Sequence, residues 1–334
     1  MKNLGIVTLM AFLALGGALR AEDARQILSE TGVQGGLVVH LGCGDGRLTE
    51  GFHAGDGYLV HGLDRDPENV AEARRHVQSL GLYGKVSINS LEAAELPYVD
   101  NLVNLLVAES PGEVSMEECL RVVAPGGVVY LKKNGRWQKT IKPRPNEIDE
   151  WTHHLHDAGG NPVAADTVVG PPERLQWKAG PLWARSHGYT PSTTAMVTSG
   201  GRLLAIVDET LNGAGDVLPS KWFLVCRDAF NGVLLWKKPV PDWGSFAMSG
   251  TLDTGGGISV GRFTMPTHAA KRLVAVDDTV YVTLGAAAPV SALDAVTGEV
   301  KHVYEDTVRA DEILISDGRL IVAINPPIEA RPTV

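Results

Sequence analysis

At 334 residues the chain is longer than a single hydrophobic core usually allows, so we expect two domains. Its 39 acidic and 30 basic residues give a formal net charge of −9, which argues against a nucleic-acid backbone as the main partner. The three cysteines, Cys43, Cys119 and Cys226, are too far apart for a CxxC metal or redox site and too few for a disulfide framework.

The first 21 residues differ in character from the rest. Lys2 precedes an apolar run from Leu4 to Leu19, and Ala21 offers a small residue for cleavage. The run is too short to span a bilayer comfortably. We therefore predict that residues 1–21 are a secretory signal peptide, that the protein is exported to the periplasm or envelope, and that no stable membrane span remains after cleavage.

Residues 22–135 alternate short apolar runs with helical patterns. This order is typical of a parallel sheet with helices on both faces, a doubly wound α/β domain. The clearest helix has Asp66 as its N-cap, Pro67 at its first position and Gly81 as its terminator. A second helix is predicted over residues 113–122. The predicted strands are Leu37–Leu41, Tyr58–Leu63, Lys85–Ile88, Leu102–Val107 and Val128–Leu131.

A glycine-rich turn follows the first predicted strand. Glycines at 42, 44 and 46 remove the Cβ atoms that would keep a nucleotide away from the backbone, and a helix is predicted to start near Arg47. A dinucleotide site would have its third glycine at position 47. The GxGxG spacing therefore favours S-adenosylmethionine over NAD.

The second predicted strand ends in an acidic residue, Asp64. A carboxylate at this end of the strand can accept hydrogen bonds from both hydroxyls of a ribose, and Asp66 already serves as the helix cap. The candidate cofactor-binding residues are Gly42, Cys43, Gly44, Asp45, Gly46, Asp64 and Arg65.

Four motifs in this order resemble the core of the class I S-adenosylmethionine-dependent methyltransferases, whose fold is Rossmann-like. They are HLGCGDG, GLDRDPENVAEAR, LPYVDNLVNLLV and LRVVAPGGVVYL, within residues 36–132. The resemblance implies S-adenosylmethionine as the cofactor and an unknown methyl acceptor as the substrate.

Two positions depart from that family's pattern. His40 and Asn104 stand where the family usually has acidic residues, and both changes are expected to weaken cofactor binding. No Asn-Pro-Pro-Tyr motif follows the LPYVDNLVNLLV region, so the catalytic residues stay unassigned. Glu109 is the single candidate base, against a structural or solvated role for this carboxylate.

Residues 136–190 form a connector rich in Pro, Trp and His, which we expect to be ordered. Its cluster His153-His154-Leu155-His156-Asp157 has imidazoles and a carboxylate suited to zinc or copper. Adjacent histidines rarely share one tetrahedral centre, and no second cluster completes a ligand set. Packing within the connector is the favoured alternative, so no metal is predicted.

Residues 191–334 contain repeats of a turn that feeds an apolar strand, and two of the copies are 40 residues apart. A second element recurs, with Asp228, Gly232 and Trp236 in one copy and Asp294 and Gly298 in the other. This element resembles the blades of quinoprotein-like (PQQ-like) β-propellers, and we predict two blades with part of a third. The ligands of pyrroloquinoline quinone are not recognisable, so that cofactor is not expected.

Two functions remain open. The chain is either a methyltransferase fused to a propeller binding module, or an exported scaffold whose methyltransferase fold has degenerated and whose propeller binds an envelope protein or glycan. Because S-adenosylmethionine is made and kept in the cytoplasm, a cleaved signal peptide favours the second function.

Overall fold

A computed structural model of the chain describes residues 22–171, 175–181, 192–210, 221–241, 243 and 267–324. The chain divides into two compact units. The first comprises residues 1–145 together with Phe230–Leu235, and the second comprises residues 146–229 and 236–334. The predicted signal peptide lies outside the described residues.

The first unit is built on one sheet of six strands. Their order is β3-β2-β1-β4-β5-β6, in which the first five are parallel and β6 runs antiparallel to β5. The order reverses between β1 and β4, and this is where open α/β sheets bind ligands, outside the carboxyl ends of the strands. The predicted Rossmann-like parallel sheet is confirmed. The strands are β1 Gly36–Leu41, β2 Tyr58–Asp64, β3 Val86–Ser90, β4 Val103–Ala108, β5 Val123–Lys133 and β6 Arg136–Ile141.

Four helices cover this sheet. Residues 22–31 form α1, and the others are α2 Arg47–Gly51, α3 Pro67–Ser79 and α4 Met116–Val122. The Asp66 side chain accepts a hydrogen bond from Glu68 N at the start of α3, as predicted. The second predicted helix starts three residues later than expected, because Ser115 is its N-cap.

The two faces of the sheet bury separate apolar clusters. Val38 of β1 packs with residues of α1 and α3, whereas Val39 and Leu41 pack with residues of α4 and of the segment before β4. Since β1 is buried along its whole length, it is the central strand. The loops at its carboxyl end are therefore held from both faces.

The boundary expected at residue 135 falls within a hairpin. Asn134 and Gly135 both have positive φ, 51° and 75°, and form the two-residue turn between β5 and β6. The sheet of the first unit therefore continues to Ile141, and the connector starts after that residue.

The second unit contains two sheets of four strands and one of two. The four-stranded sheets have the orders β10-β9-β8-β7 and β11-β12-β13-β14, and β15 pairs with β16. Among its described residues, the regular structure consists of strands and short 3₁₀ helices, which is consistent with the predicted all-β region. Its strands are β7 Thr193–Ser199, β8 Arg202–Asp208, β9 Trp222–Asp228, β10 Leu234–Pro239, β11 Leu273–Val276, β12 Thr279–Thr283, β13 Val290–Asp294, β14 Val300–Tyr304, β15 Ala310–Ser316 and β16 Arg319–Ile324.

The repeated Asp-to-Gly element forms the turn between β13 and β14. Asp294 Oδ1 accepts hydrogen bonds from the N–H groups of Val296 and Thr297, and Gly298 has φ of 72°. The Trp236 indole Nε1 donates to Ala295 O at 3.0 Å, and its ring lies against Gly298. The tryptophan of one copy therefore packs on the turn of the next copy.

A similar contact occurs earlier in the second unit. Trp177 Nε1 donates to Ala229 O at 2.9 Å, and Ala229 follows Asp228 as Ala295 follows Asp294. The connector therefore supplies a tryptophan equivalent to Trp236. This relationship was not apparent from the sequence, since Trp177 has no Asp eight residues before it.

Replacing Trp236 with alanine is expected to lower the free energy of unfolding of the second unit by about 2–3 kcal/mol, because an aromatic contact and a hydrogen bond are lost. Trp236→Phe keeps a ring over Gly298 and should cost about 1 kcal/mol. Urea denaturation measures both changes. Equal stability of Trp236→Ala and the wild type would show that the contact does not join the two copies.

No helix in the described segments is long and apolar enough to cross a membrane.

Candidate functional site

The turn after β1 is held by the end of β2. Gly42 N and Cys43 N both donate to Leu63 O, at 2.8 and 3.2 Å. The φ angles of Gly42, Gly44 and Gly46 are 72°, 53° and 80°, which L side chains rarely adopt. The turn therefore needs glycine at all three positions for its backbone conformation.

The three glycines differ in what surrounds them. A Cβ added at Gly44 would meet nothing within 4 Å, and one at Gly42 would approach only Ser110 O, at 3.9 Å. A Cβ added at Gly46 would lie 2.8 Å from the Ala73 Cβ of α3. Gly42 and Gly44 thus border open space, as a cofactor site requires, whereas Gly46 allows α3 to pack against the turn.

The side chains of Cys43 and Asp45 point to other roles. Cys43 is buried in the core beside α3, and burial raises the pKa of its thiol to about 12. Asp45 accepts a hydrogen bond from Arg47 N and forms an ion pair with the Arg47 guanidinium at 3.3 Å. Asp45 thus stabilises the start of α2. The backbone N–H and carbonyl of Cys43 are engaged within the turn, by Leu63 O and Gly46 N, so Cys43 shapes the turn. Because α2 has only five residues, its dipole adds little to the site.

Asp64 is buried and faces the glycine turn. Its Oδ2 accepts from Gly44 N at 2.8 Å, and its Oδ1 accepts from Asp66 N at 2.9 Å. A third and longer bond, 3.3 Å, comes from Asn69 Nδ2. The sequence predicted the position of this carboxylate at the end of β2, and the structure places it beside the turn.

Arg65 extends across the same edge of the sheet. Its guanidinium donates to Ala93 O at 3.0 Å and pairs with Glu113 at 3.3 Å. The side chain therefore ties the segment after β3 to the segment after β4. Beside it lies a cavity of about 380 Å³ lined by Ala94, Glu95, Glu113, Ser115, Glu117, Glu118 and Arg121, none of which belongs to the glycine turn.

Sequence reasoning missed one carboxylate at this edge. Leu91 N donates to Asp64 O at 2.8 Å, so the segment after β3 runs alongside the end of β2. The next residue, Glu92, is exposed. Its position two residues after β3 was the available signal.

His40 lies beneath the turn on β1. Its Nδ1 is 2.8 Å from Thr49 Oγ1, and its ring meets the Phe52 ring edge to face. Burial lowers the pKa of His40 to about 4, although the nearby Glu109 and Asp64 carboxylates act in the opposite direction. The imidazole is therefore neutral at pH 7, and it joins β1 to α2.

The pKa of His40 predicts how stability depends on pH. The pKa is depressed from its ordinary value of 6.5 to about 4 in the fold, so the folded state disfavours the protonated form. The part of the folding free energy that depends on a neutral His40 is fully present above pH 6.5 and is lost as the pH falls through 4. The loss amounts to about 3 kcal/mol. Urea denaturation at a series of pH values measures it. His40→Gln should flatten the curve between pH 6.5 and 4, and an unchanged curve would contradict the assignment.

Asn104 lies at the opposite end of the sheet from the turn, which corrects its expected effect on the cofactor. Its Oδ1 accepts from Leu37 N at 2.8 Å, at the start of β1. Ala108, at the carboxyl end of β4 and next to the site, is four residues beyond Asn104. At the rise of a parallel strand, this separates the two residues by about 13 Å. The asparagine closes the amino end of the sheet and cannot contact a ligand on the turn.

Glu109 follows β4 at the same edge as Asp64. It pairs with Lys132 of β5 at 3.3 Å, and 58% of its side chain is exposed. The Glu109 carboxylate acts to raise the pKa of the buried His40, against the effect of burial. The candidate base therefore lies after β4, at the edge of the sheet that carries the glycine turn.

The histidine cluster of the connector is engaged in structural contacts in the second unit. His153 Nε2 accepts from Ile315 N at 3.1 Å, and His156 Nε2 lies 2.6 Å from Asp149 Oδ2. In the described part of the chain, no three His, Cys, Asp or Glu side chains approach closely enough to hold a metal. These contacts support the packing alternative.

Comparison with known proteins agrees with the topology of the first unit. Residues 38–127 match the family model described as "Methyltransferase domain". This match covers both the glycine turn and Asp64.

The chain is also similar to curated methyltransferases. It is 27% identical over 189 residues to the ubiquinone biosynthesis O-methyltransferase of Dinoroseobacter shibae, over 48% of this chain and 73% of that protein. It is 28% identical over 163 residues to the enzyme of the same name from Alkalilimnicola ehrlichii, over 40% of this chain and 64% of that protein. The chain thus spans less than two thirds of the second relative's length.

Solved structures give weaker matches. The S-adenosylmethionine-dependent methyltransferase of Aquifex aeolicus aligns with a TM-score of 0.29 at 26% identity, over 33% of this chain and 62% of that chain. A geranyl diphosphate methyltransferase in complex with S-adenosylmethionine aligns with a TM-score of 0.31 at 22% identity. The alignment covers 33% of this chain and 48% of that chain.

Proposed function

We propose that the first unit binds S-adenosylmethionine on the turn after β1 and transfers its methyl group to an acceptor. The observation that carries this proposal is the combination of open space over Gly44 with a buried carboxylate, Asp64, directed at the same turn. The match of residues 38–127 to a methyltransferase domain supports it.

Asp64 has the capacity to hold the ribose. A carboxylate accepts about four hydrogen bonds, and three are made here. Two ribose hydroxyls need two acceptor positions, so the 3.3 Å bond from Asn69 is the one that gives way.

The cofactor supplies an activated methyl group on a sulfonium sulfur. The residues of the chain position the acceptor and can remove its proton. Glu109, at the end of β4, is the carboxylate available for that proton, and Lys132 holds its side chain in place. Because both curated relatives are named O-methyltransferases, a hydroxyl acceptor is the first class to examine.

Calorimetric titration of the full chain with S-adenosylmethionine and S-adenosylhomocysteine tests cofactor binding. A functional site should bind both with micromolar affinity, roughly −8 kcal/mol. Absence of binding at about millimolar ligand would leave only a fold relationship, which is the scaffold alternative.

We further propose that the second unit is part of a PQQ-like β-propeller that serves as a binding module for an envelope protein or glycan. The recurrence of the Trp236 contact at Trp177 supports it, as do the two four-stranded sheets. Export through a signal peptide at residues 1–21 remains part of this proposal. Edman sequencing of the protein purified from the periplasm would show whether Glu22 is the mature N-terminus.

A further inference from the structure

The hairpin of β5 and β6 carries an unusual concentration of positive charge. Residues 132–144 contain six basic residues and no Asp or Glu, in a chain whose formal net charge is −9. The basic residues are Lys132, Lys133, Arg136, Lys139, Lys142 and Arg144.

Two of these cations face each other at the tip of the hairpin. The two-residue turn at Asn134 and Gly135 makes Lys133 and Arg136 directly opposite neighbours. Like charges in opposite positions destabilise a strand pair. Both side chains are exposed, and neither forms an ion pair with any residue that the structure describes. The hairpin tip thus presents a pair of cations whose repulsion an external anion would relieve.

Three other cations of residues 132–144 are engaged by the protein. Lys132 pairs with Glu109, Lys139 donates to Glu30 O, and Lys142 donates to Asn101 Oδ1 at 2.6 Å. Lys142 also lies at the other end of the hairpin, beside Gly127, where the charge of Asp100 acts on it. The exposed cations at the tip itself are therefore Lys133 and Arg136.

The surroundings of the tip favour a lipid surface over a nucleic acid. Single-stranded nucleic acids bind where aromatic rings are free to stack on bases. The Trp137 ring is already stacked on Tyr130, with centroids 4.8 Å apart, and Lys132 Nζ lies 5.5 Å from its centroid. Anionic lipid headgroups attract exposed basic side chains and need no free ring to stack on, which fits Lys133 and Arg136.

We propose that the hairpin tip, defined by Lys133 and Arg136, binds the headgroups of anionic phospholipids. Because β5 is parallel to β1 and β4, the tip lies at the carboxyl edge of the sheet, the edge that also carries the glycine turn. Binding would bring the crevice over Gly44 close to a membrane surface. The inference rests on the hairpin alone and does not require cofactor binding.

Vesicle co-sedimentation of the full chain tests the proposal. The wild type should bind vesicles containing about 30 mol% phosphatidylglycerol, should not bind pure phosphatidylcholine, and should lose binding at about 500 mM salt. Lys133→Gln with Arg136→Gln should weaken binding about 30-fold, the equivalent of about 2 kcal/mol for two cations. Residues 1–21 are common to all variants, so the difference between variants reports on the tip.

The matched control is Arg75→Gln with Lys85→Gln. It removes the same charge from two exposed positions of the first unit, on α3 and just before β3, and should bind as the wild type does. Loss of vesicle binding in both variants alike would overturn the proposal, as would failure of the wild type to bind. Tip-dependent binding of single-stranded RNA without vesicle binding would also overturn it. Arg136→Gln alone provides the same comparison if the double variant unfolds.

Discussion

Replacing Gly44 with alanine is expected to weaken S-adenosylmethionine binding at least about 100-fold while the protein stays folded. The added Cβ would meet no protein atom within 4 Å, so it would enter the space assigned to the cofactor. The φ of 53° at this position costs an alanine about 1 kcal/mol of folding free energy. Calorimetric titration measures the affinity, and urea denaturation measures the stability.

Gly81→Ala is the control for this substitution. Gly81 also has positive φ, 69°, and a Cβ there would meet nothing within 4 Å. It follows α3 and precedes β3, at the edge of the sheet opposite the turn. We expect the same loss of stability with unchanged affinity. If both alanine variants bound as the wild type does, the space over Gly44 would not be the cofactor site.

Asp64→Asn is expected to weaken cofactor binding by about 100-fold or more, since charged acceptors for two ribose hydroxyls contribute about 1.5–3 kcal/mol each. The substitution keeps the shape of the side chain but turns an acceptor into a donor that faces either Gly44 N or Asp66 N. Some loss of stability should accompany it. Titration at several temperatures below the unfolding transition separates the two effects.

Asp66→Asn makes the same chemical change two residues away. Asp66 is exposed and caps α3, and asparagine is an equally good N-cap. Its affinity for the cofactor should match that of the wild type. If the Asp64→Asn and Asp66→Asn variants bound the cofactor with equal affinity, Asp64 would not be the residue that binds the ribose.

The sequence was sufficient to predict the elements that form the candidate site. Apolar runs located the five parallel strands, and Asp66 with Pro67 located the start of α3. Side chains at the ends of parallel strands meet at one edge, so Asp64 and the glycine turn were expected to lie together. Local signals were strong here because glycines and caps act over a few residues.

Features that depend on register and on long-range packing could not be predicted. The motif position of Asn104 predicts an effect on cofactor binding, but the pairing of Val38 with Leu105 puts this residue at the far end of the sheet. Strand β6 was assigned to the connector, because its alternation of Lys and Arg with apolar residues is weak. The opposition of Lys133 and Arg136 likewise follows from the register of the hairpin rather than from composition.

Residues with two roles were also difficult to assign. Gly46 shares its motif with Gly44, but its closest neighbour is Ala73 of α3. Cys43 lies between two site glycines, yet its thiol points into the core. The sequence shows which backbone positions must be free of side chains; only packing shows whether a helix or open space lies beside them.

The most direct measurement is a crystal structure of the full chain grown with S-adenosylhomocysteine. We expect the adenosyl group to lie across Gly42 and Gly44, with both ribose hydroxyls donating to the Asp64 carboxylate and the hydrogen bond from Asn69 lost. Clear density for the nucleoside elsewhere on the protein, or a turn with no ligand at saturating concentration, would contradict it.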